Sequence, residues 1–204
     1  GGDRLVKSDE EVERSHGQII IRKIDNLVSS AGLKQTDIDG LIVSTGPGSF
    51  TGLRIGLAAA KGIAVALRIP VIGISLFELA AWRLRSETQT VMVAVQVRRD
   101  ELLVGCVKGG QFDPASVTAV PVAGLCQHVG QSTILGVGIN VGRFLPDTHH
   151  ADDLTELEID PADLITIGRP RLAAGESADL AALEPLYIQK SQAEIRFEQR
   201  RQQQ

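Results

Sequence analysis

The fold is decided by residues 41–56, which read LIVSTGPGSFTGLRIG. They pass from an apolar run through a glycine-rich turn into a helical pattern. The apolar residues 41–44 lie between the turn pair Asp39-Gly40 and the turn Gly46-Pro47-Gly48, which is typical of a strand that is buried on both faces. Strands of that kind belong to α/β sheets.

A helix and a second strand follow this turn. The sequence from Thr51 to Arg68 contains no proline, so a helix capped by Ser49 or Thr51 is predicted to continue until the break at Pro70. Residues 71–74 are again apolar. The three segments form a βαβ unit, for which two parallel strands and a right-handed crossover are expected. The chain is therefore placed in the α/β class.

Small residues recur at every fourth position of the predicted helix, at Gly52, Gly56, Ala60 and Ala64. This spacing places them in one stripe along a single face. Glycine costs about 1 kcal/mol relative to alanine inside a helix, so close approach of another element is expected there. Two interpretations stay open: the stripe packs against the sheet, which is favoured in soluble βα units, or it faces a helix of a partner.

The turn before the helix is a candidate anion-binding loop. Backbone N–H groups at a helix N-terminus attract anions, and an arginine lies one turn into the helix. The run lacks the Gly-Lys-Ser/Thr ending of a phosphate-binding P-loop, so the pattern alone has little specificity. The residues predicted to contact a nucleotide or another anion are Gly46, Gly48, Ser49, Thr51, Gly52 and Arg54.

Composition limits the class of partner and the compartment. The 204 residues carry a net charge of −4 and only 3% are aromatic, so neither an overall attraction to nucleic acid nor a base-stacking platform is expected. Any contact with RNA is expected to involve a local patch or a partner. Cys106 and Cys126 lack metal-site spacing, which predicts reduced thiols in a cytoplasmic protein. The sequence predicts no membrane span and no signal peptide.

A first helix is predicted from about Asp9 to Ala31, opened by the capping-box spacing of Ser8 and Glu11. Its apolar face is wider than packing on one sheet requires. Either the helix is deeply buried in a doubly covered sheet, or it presents a second surface to a partner. The apolar face includes Ile20, Ile24 and Leu27, and the residues that widen it are Ile19, Ile21 and Val28.

A second subdomain is predicted to follow another helix. Ser75 and Glu78 have capping-box spacing, so a helix is expected from Ser75 to Arg85, followed by a polar linker. The strands of a hairpin are predicted at 91–97 and 102–108, an edge strand at 117–122 and a further strand at 133–137.

The last part of the chain is rich in acidic residues. The acidic stretch between His149 and Asp163 is interpreted as a solvated loop and not as a metal site, because no histidine pair at i, i+4 spacing accompanies it. Asp160-Pro161 then begins a helix, which Gly168 and Pro170 are expected to break or kink. The final residues are locally basic and are expected to be disordered.

Residues 46–56, 60–62 and 70–75, which read GPGSFTGLRIG, AKG and PVIGIS, resemble the bacterial TsaB (YeaZ) family. The resemblance implies the two-lobed fold of actin, Hsp70 and sugar kinases (the ASKHA fold), with residues 1–87 in the first subdomain and 88–204 in the second. Members of the family open with a hydrophobic strand that ends in Asp-Thr or a similar pair. This sequence opens with Gly1-Gly2-Asp3 instead, so we expect it to be incomplete.

The resemblance also implies a function in making threonylcarbamoyladenosine beside the anticodon of tRNA. The closest relative of the family is its own catalytic partner, TsaD. The chain is expected to be a homodimer when alone, to pair with TsaD, to work with the ATPase TsaE and to meet tRNA mainly through the complex. The implied partner interface, with ATP or ADP at or near it, consists of Ile20, Ile24, Leu27, Gly52, Gly56 and Ala60.

The helix that begins at Ser75 indicates that this chain does not perform the transfer. In TsaD the corresponding helix carries two histidines that hold a metal bound to nucleotide phosphates, whereas residues 75–85 contain no histidine. We therefore expect no catalytic residue, no metal ligand and no cofactor required by this chain alone. The alternative is an independent small-molecule kinase or transferase of the same fold, which needs phosphate loops from both lobes and an acid for Mg²⁺.

Overall fold

The computed structural model describes residues 5–8, 16–130, 132–145 and 156–186. The order of helices and strands follows an α/β pattern and then a strand-rich pattern. The elements are α1 (His16–Ser30), β1 (Leu41–Gly46), α2 (Phe50–Leu67), β2 (Val71–Ser75), α3 (Leu76–Arg83), β3 (Thr90–Arg98), β4 (Glu101–Lys108), β5 (Gln111–Pro121), α4 (Leu125–Val129), β6 (Ile134–Val137), β7 (Glu156–Leu157) and α5 (Pro161–Ala173).

The βαβ unit predicted from residues 41–74 is confirmed. β1 and β2 pair in parallel, with Leu41 beside Val71. The Ser49 hydroxyl caps α2 by accepting a hydrogen bond of 3.3 Å from the N–H of Gly52. The helix ends before Arg68, which adopts the left-handed conformation at φ 58° and donates its N–H to the carbonyl of Ala64.

β1 is less buried than the sequence predicted. Its residues from Leu41 to Thr45 are half-buried, and only Gly46 is fully buried. The strand is covered on both faces, because Val43 packs with Leu57 of α2 while Ile42 contacts Gly168 of α5. In the part of the chain that the structure describes, no strand pairs with the second edge of β1. β2 also lacks a second partner strand among the described residues and is nevertheless buried, so the missing partner strand by itself does not account for the exposure of β1.

The second sheet has five strands in the order β5-β4-β3-β6-β7. β3, β4 and β5 are antiparallel, whereas β6 runs parallel to both β3 and β7. The predicted hairpin is confirmed, and β5 is an edge strand that begins at Gln111, earlier than predicted. The main core lies between this sheet and α3, where the buried ring of Phe77 stacks on Phe112 with centroids 4.7 Å apart.

The helix that starts after Asp160 is confirmed. Of the break or kink predicted at Gly168 and Pro170, the break is wrong and the kink stays a prediction. α5 continues through both residues to Ala173. A Cβ at Gly168 would lie 2.7 Å from a methyl group of Ile42, so this glycine allows close packing of α5 on β1. The packing of α5 on β1, β2 and α3 offsets the hydrogen bond that proline removes.

The acidic stretch before α5 is not entirely the solvated loop that the sequence predicted. Residues 146–155, including His149, lie outside the described part of the chain. Glu156 belongs to β7, and Asp163 is only 7% exposed. Arg83 of α3 pairs with the Asp163 carboxylate, and this ion pair compensates the cost of burying its charge. Sequence proximity to other acids therefore says little about the exposure of this one.

The two sheets fall on either side of the predicted boundary between residues 87 and 88. α5 comes from the second range but packs on the strands of the first sheet. The predicted start of the first helix at Asp9 and the basic tail both lie outside the described residues. The division into two subdomains remains a prediction.

Candidate partner-binding surface and anion-binding loop

α1 packs beside α2, and the three residues predicted there are half-buried: Ile20, Ile24 and Leu27. Ile24 lines a cavity of about 100 Å³ between the two helices, together with Ile63 and Leu67 of α2. Part of the apolar width of α1 is thus used for contact with α2. Ile21, at the rim of the same cavity, remains 47% exposed.

The stripe of small residues on α2 divides into two halves. Ala60 and Ala64 are 8% and 2% exposed, and Ala64 packs in the cluster that covers the first sheet. Gly52 and Gly56 are half-buried, and a Cβ at Gly56 would meet no atom within 4 Å. Packing on the sheet therefore explains why Ala60 and Ala64 are small residues. Nothing in the described part of the chain comes within 4 Å of a Cβ at Gly56.

The outer face of α2 is apolar and exposed. Only Leu57, Ala60 and Ala64 of its 18 residues are buried, and Val65 is 66% exposed. Large exposed apolar surfaces on soluble proteins mark sites of contact with a protein or a membrane. Sequence reasoning missed Val65 because it lies outside the stripe of small residues.

By length and composition, α2 is the one helix among the described residues that is apolar enough to cross a membrane. Its position in the fold provides a different explanation. Both of its ends lead directly into strands that pair with each other in parallel, with Leu41 beside Val71. The helix must therefore return along the face of that sheet, which is the geometry of a crossover helix.

The six residues predicted to bind an anion lie together where β1 passes into α2. Gly46 has φ 89°, and a Cβ there would lie 2.6 Å from Leu53, so the turn requires glycine. The amide of Gly52 already donates to Ser49. The Arg54 guanidinium lies 4.0 Å above the ring of Phe50, which is 42% exposed. The positive charge nearest to the loop is thus held on an aromatic face.

A groove of about 440 Å³ runs beside α2, on the flank that carries Arg54. Its first wall is a face of α2 and its second wall comes from residues 183–185, after α5. The sequence spacing places Arg54, Leu57, Ala58 and Lys61 on one helix face, but it gives no signal that residues 183–185 lie opposite. The residues that line the groove are Arg54, Leu57, Ala58, Lys61, Leu183, Glu184 and Pro185.

The start of α3 is organised by helix capping. The Ser75 hydroxyl accepts from the N–H of Glu78 at 3.1 Å, and the Glu78 carboxylate accepts from the N–H of Ser75 at 2.7 Å. This is the predicted capping box. Arg171 of α5 lies 3.7 Å from the same carboxylate. In residues 5–8, 16–130, 132–145 and 156–186, no group of three His, Cys, Asp or Glu side chains is placed to hold a metal ion.

Among the described residues, Asp160 is a titratable group with a perturbed pKa. Lys7 donates to both oxygens of the Asp160 carboxylate, at 2.7 and 2.6 Å, and this bond lowers the pKa of Asp160 below its ordinary value. A hydrogen bond from the N–H of Ala162 lowers it further. Asp160 is also the N-cap of α5, so its negative charge lies at the positive end of that helix.

Comparison with known proteins identifies relatives along most of the chain. Residues 8–128 match the protein family described as TsaD, tRNA N6-adenosine threonylcarbamoyltransferase. The Escherichia coli tRNA threonylcarbamoyladenosine biosynthesis protein TsaB is 39% identical over 196 residues, which cover 88% of this chain and 83% of that protein. The tRNA N6-adenosine threonylcarbamoyltransferase of Geotalea uraniireducens is 36% identical over 69 residues, covering 34% of this chain and 20% of that protein.

Among solved structures, YeaZ from Pseudomonas aeruginosa has a similar fold, with a TM-score of 0.62 and 26% identity. The match covers 88% of this chain and 87% of that protein. The α/β class predicted from the sequence is confirmed, and the chain shares the fold of YeaZ, the family that the sequence resembles.

Proposed function

This chain belongs to the TsaB family, and we propose that it is an accessory subunit for the synthesis of threonylcarbamoyladenosine in tRNA. In this role it pairs with TsaD and enables that subunit to transfer threonylcarbamoyl to N6 of the adenosine beside the anticodon. The contribution of this chain is a binding surface and not a reacting group.

The observation that carries the proposal is the exposed apolar face of α2 beside α1. A crossover helix of a soluble α/β protein normally buries a wide apolar stripe and leaves polar residues outside. Here the outer positions of α2 include Ala58, Gly62 and Val65, all exposed, and α1 adds Ile21. Small side chains on a helix surface allow a second helix to approach closely, as a helix-to-helix interface requires.

The proposed interface includes the six residues that the resemblance implied. Gly56 leaves room along α2, on the helix face that also carries Ile63 and Leu67, whereas a Cβ at Gly52 would contact the Ser49 side chain that caps the helix. Ile20, Ile24 and Leu27 shape the adjoining side of α1. Ala60 acts indirectly, because it is buried within this chain and sets the position of α2. We propose that ATP or ADP binds at or near this interface, next to Arg54 and the loop from Gly46 to Gly52.

The proposal assigns catalysis to the partner. α3 reads LFELAAWR and contains no histidine, whereas the family resemblance implies two metal-binding histidines on the corresponding helix of TsaD. Glu78 is engaged in capping the helix, as described above. In this proposal the protein is cytoplasmic, is a homodimer when alone, works with TsaE in the complex and meets tRNA mainly through its partners.

The test is the mass in solution, measured by light scattering, of this protein alone and mixed with TsaD from the same organism. A heterodimer that replaces a homodimer, together with transfer activity that requires both chains, is the expected result. Absence of association, combined with magnesium-dependent nucleotide turnover by this chain alone, would instead support an independent kinase or transferase.

A further inference from the structure

The groove beside α2 has an apolar floor and charged walls. Leu57 and Leu183 form the floor and are 3% and 8% exposed. Arg54 and Lys61 stand on the α2 wall, seven residues and therefore about 10 Å apart. Glu184 stands on the opposite wall. Such a site suits a side chain with an apolar stem and a charged end.

Lys61 is the most buried of the charged residues that line this groove. It is half-buried, and within the described residues it has no hydrogen bond or ion pair. Arg54 already lies over the Phe50 ring, which fixes its guanidinium at the mouth of the groove. Partial burial makes a charge more costly to leave without a counter-ion, so the α2 wall favours an anionic group.

The groove is continuous with the exposed face of α2. Ala58 lines the groove and is exposed, and the next exposed positions along the same helix are Gly62 and Val65. None of these residues has a long side chain that would separate the two surfaces. A protein seated on the outer face of α2 therefore reaches the groove without displacing any described element.

We propose that the groove receives an acidic residue, flanked by apolar ones, from a segment of the TsaD partner. The carboxylate lies between Arg54 and Lys61, and the apolar residues cover Leu57 and Leu183. This inference rests on the proposed function and adds the chemistry of the contact. A single carboxylate can lie on the α2 wall away from Glu184, whereas a nucleic-acid strand would extend a row of phosphates along the groove of a protein with a net charge of −4.

The experiment measures the affinity of this protein for TsaD of the same organism by calorimetry. The variants are Lys61→Glu, Lys61→Arg as the conservative replacement, and Lys108→Glu as a control on the exposed end of β4. We expect Lys61→Glu to bind about tenfold more weakly and the other two to bind within about twofold of the wild type. The effect of Lys61→Glu should shrink as salt rises from about 0.1 to about 1 M, because the Debye length falls from about 10 to about 3 Å.

Circular dichroism and the unfolding midpoint establish that each variant is folded. Val65→Asp serves as a second variant, on the exposed outer face of α2. If Val65→Asp loses TsaD while Lys61→Glu binds normally, the groove inference is overturned and the proposed function stands. If wild-type protein does not associate with TsaD, the proposed function fails first. If Lys61→Glu weakens only the binding of purified tRNA, the groove is a nucleic-acid site and the inference is wrong.

Discussion

The guanidinium of Arg83 donates two hydrogen bonds, of 2.6 and 3.1 Å, to a single carboxylate oxygen of Asp163, and so joins α3 to α5. The Asp163 side chain is 10% exposed, whereas the Arg83 side chain is 44% exposed. The carboxylate therefore depends on this partner for its charge compensation, while the arginine also reaches water. We expect Arg83→Met to reduce the free energy of unfolding by about 1–3 kcal/mol, because it leaves a buried acceptor without its donor.

Urea unfolding of Arg83→Met measures this loss. Arg85→Met is the matched control, because Arg85 is exposed, donates to the carbonyl of Trp82 and lies over the ring of that residue, without pairing with a buried carboxylate. Adding Asp163→Leu to Arg83→Met should recover part of the loss, since the unpaired carboxylate is then removed. Equal stability of the two single variants would contradict the assignment.

Val65 should be required for association and not for folding. Its side chain is 66% exposed on α2, so Val65→Asp is expected to change the unfolding midpoint little and to reduce association with TsaD by at least about tenfold. Ile165 on α5 is the control, because it is 40% exposed but lies on a different helix. If Ile165→Asp abolished association and Val65→Asp did not, the interface with TsaD would have to be assigned to α5 and not to α2. Light scattering of the mixtures distinguishes these results.

Two glycines should respond in opposite ways to alanine. A Cβ at Gly56 meets nothing within 4 Å, so Gly56→Ala should stabilise α2 by up to about 1 kcal/mol through its higher helix propensity. A Cβ at Gly136 would collide with the carbonyl oxygen of Ile139, so Gly136→Ala should destabilise the protein. Thermal unfolding compares the two directly.

The larger replacement Gly56→Leu tests the interface role of Gly56. It should leave a folded protein that no longer pairs with TsaD, because leucine fills the space available to a second helix. A folded Gly56→Leu variant that pairs normally would refute that role.

The Lys7–Asp160 pair should contribute stability in a pH-dependent way. The pKa of Asp160 is lowered in the folded protein, mainly by the hydrogen bond from Lys7. A lowered carboxyl pKa stabilises the folded state above the pKa of the unfolded chain, about 3.9, and this contribution is lost as the pH falls through the folded-state pKa. Lys7→Gln should therefore be less stable than the wild type near neutral pH and equally stable in strong acid.

A carboxyl-detected NMR titration provides the direct measurement for Asp160. Its pKa should rise towards the ordinary value in Lys7→Gln and should not change in Lys108→Gln, whose site is on β4. An unchanged pKa in Lys7→Gln would show that Lys7 does not cause the shift, which would leave the N–H of Ala162 and the charge of Arg83 as its causes.

Local signals predicted most of the regular structure. The strand pair and α2 followed from turn residues, apolar runs and the absence of proline between 51 and 68, all of which act within a few residues. The capping box at Ser75 was likewise visible as a spacing. Those features depend on the backbone and its near neighbours, so tertiary contacts did not have to be known.

Three predictions failed because the structure at those positions is determined by contacts between residues that are far apart in the sequence. Gly168 was read as a helix breaker, but Ile42 requires a residue without a side chain at that point of α5. Asp163 was read as solvated, but Arg83 approaches it from another helix. β1 was read as buried, but its residues from Leu41 to Thr45 are half-buried.

By itself, the sequence determined the α/β class, the βαβ unit, the family and the two helices on which the proposed interface lies, because periodicity, capping and turn chemistry are local properties of the chain. Tertiary structure alone decided which residues of α2 are exposed, the pairing of Arg83 with Asp163, and the groove that Lys61 and Glu184 line from two separate segments. Those features arise from residues that are far apart in the chain and are brought together by packing.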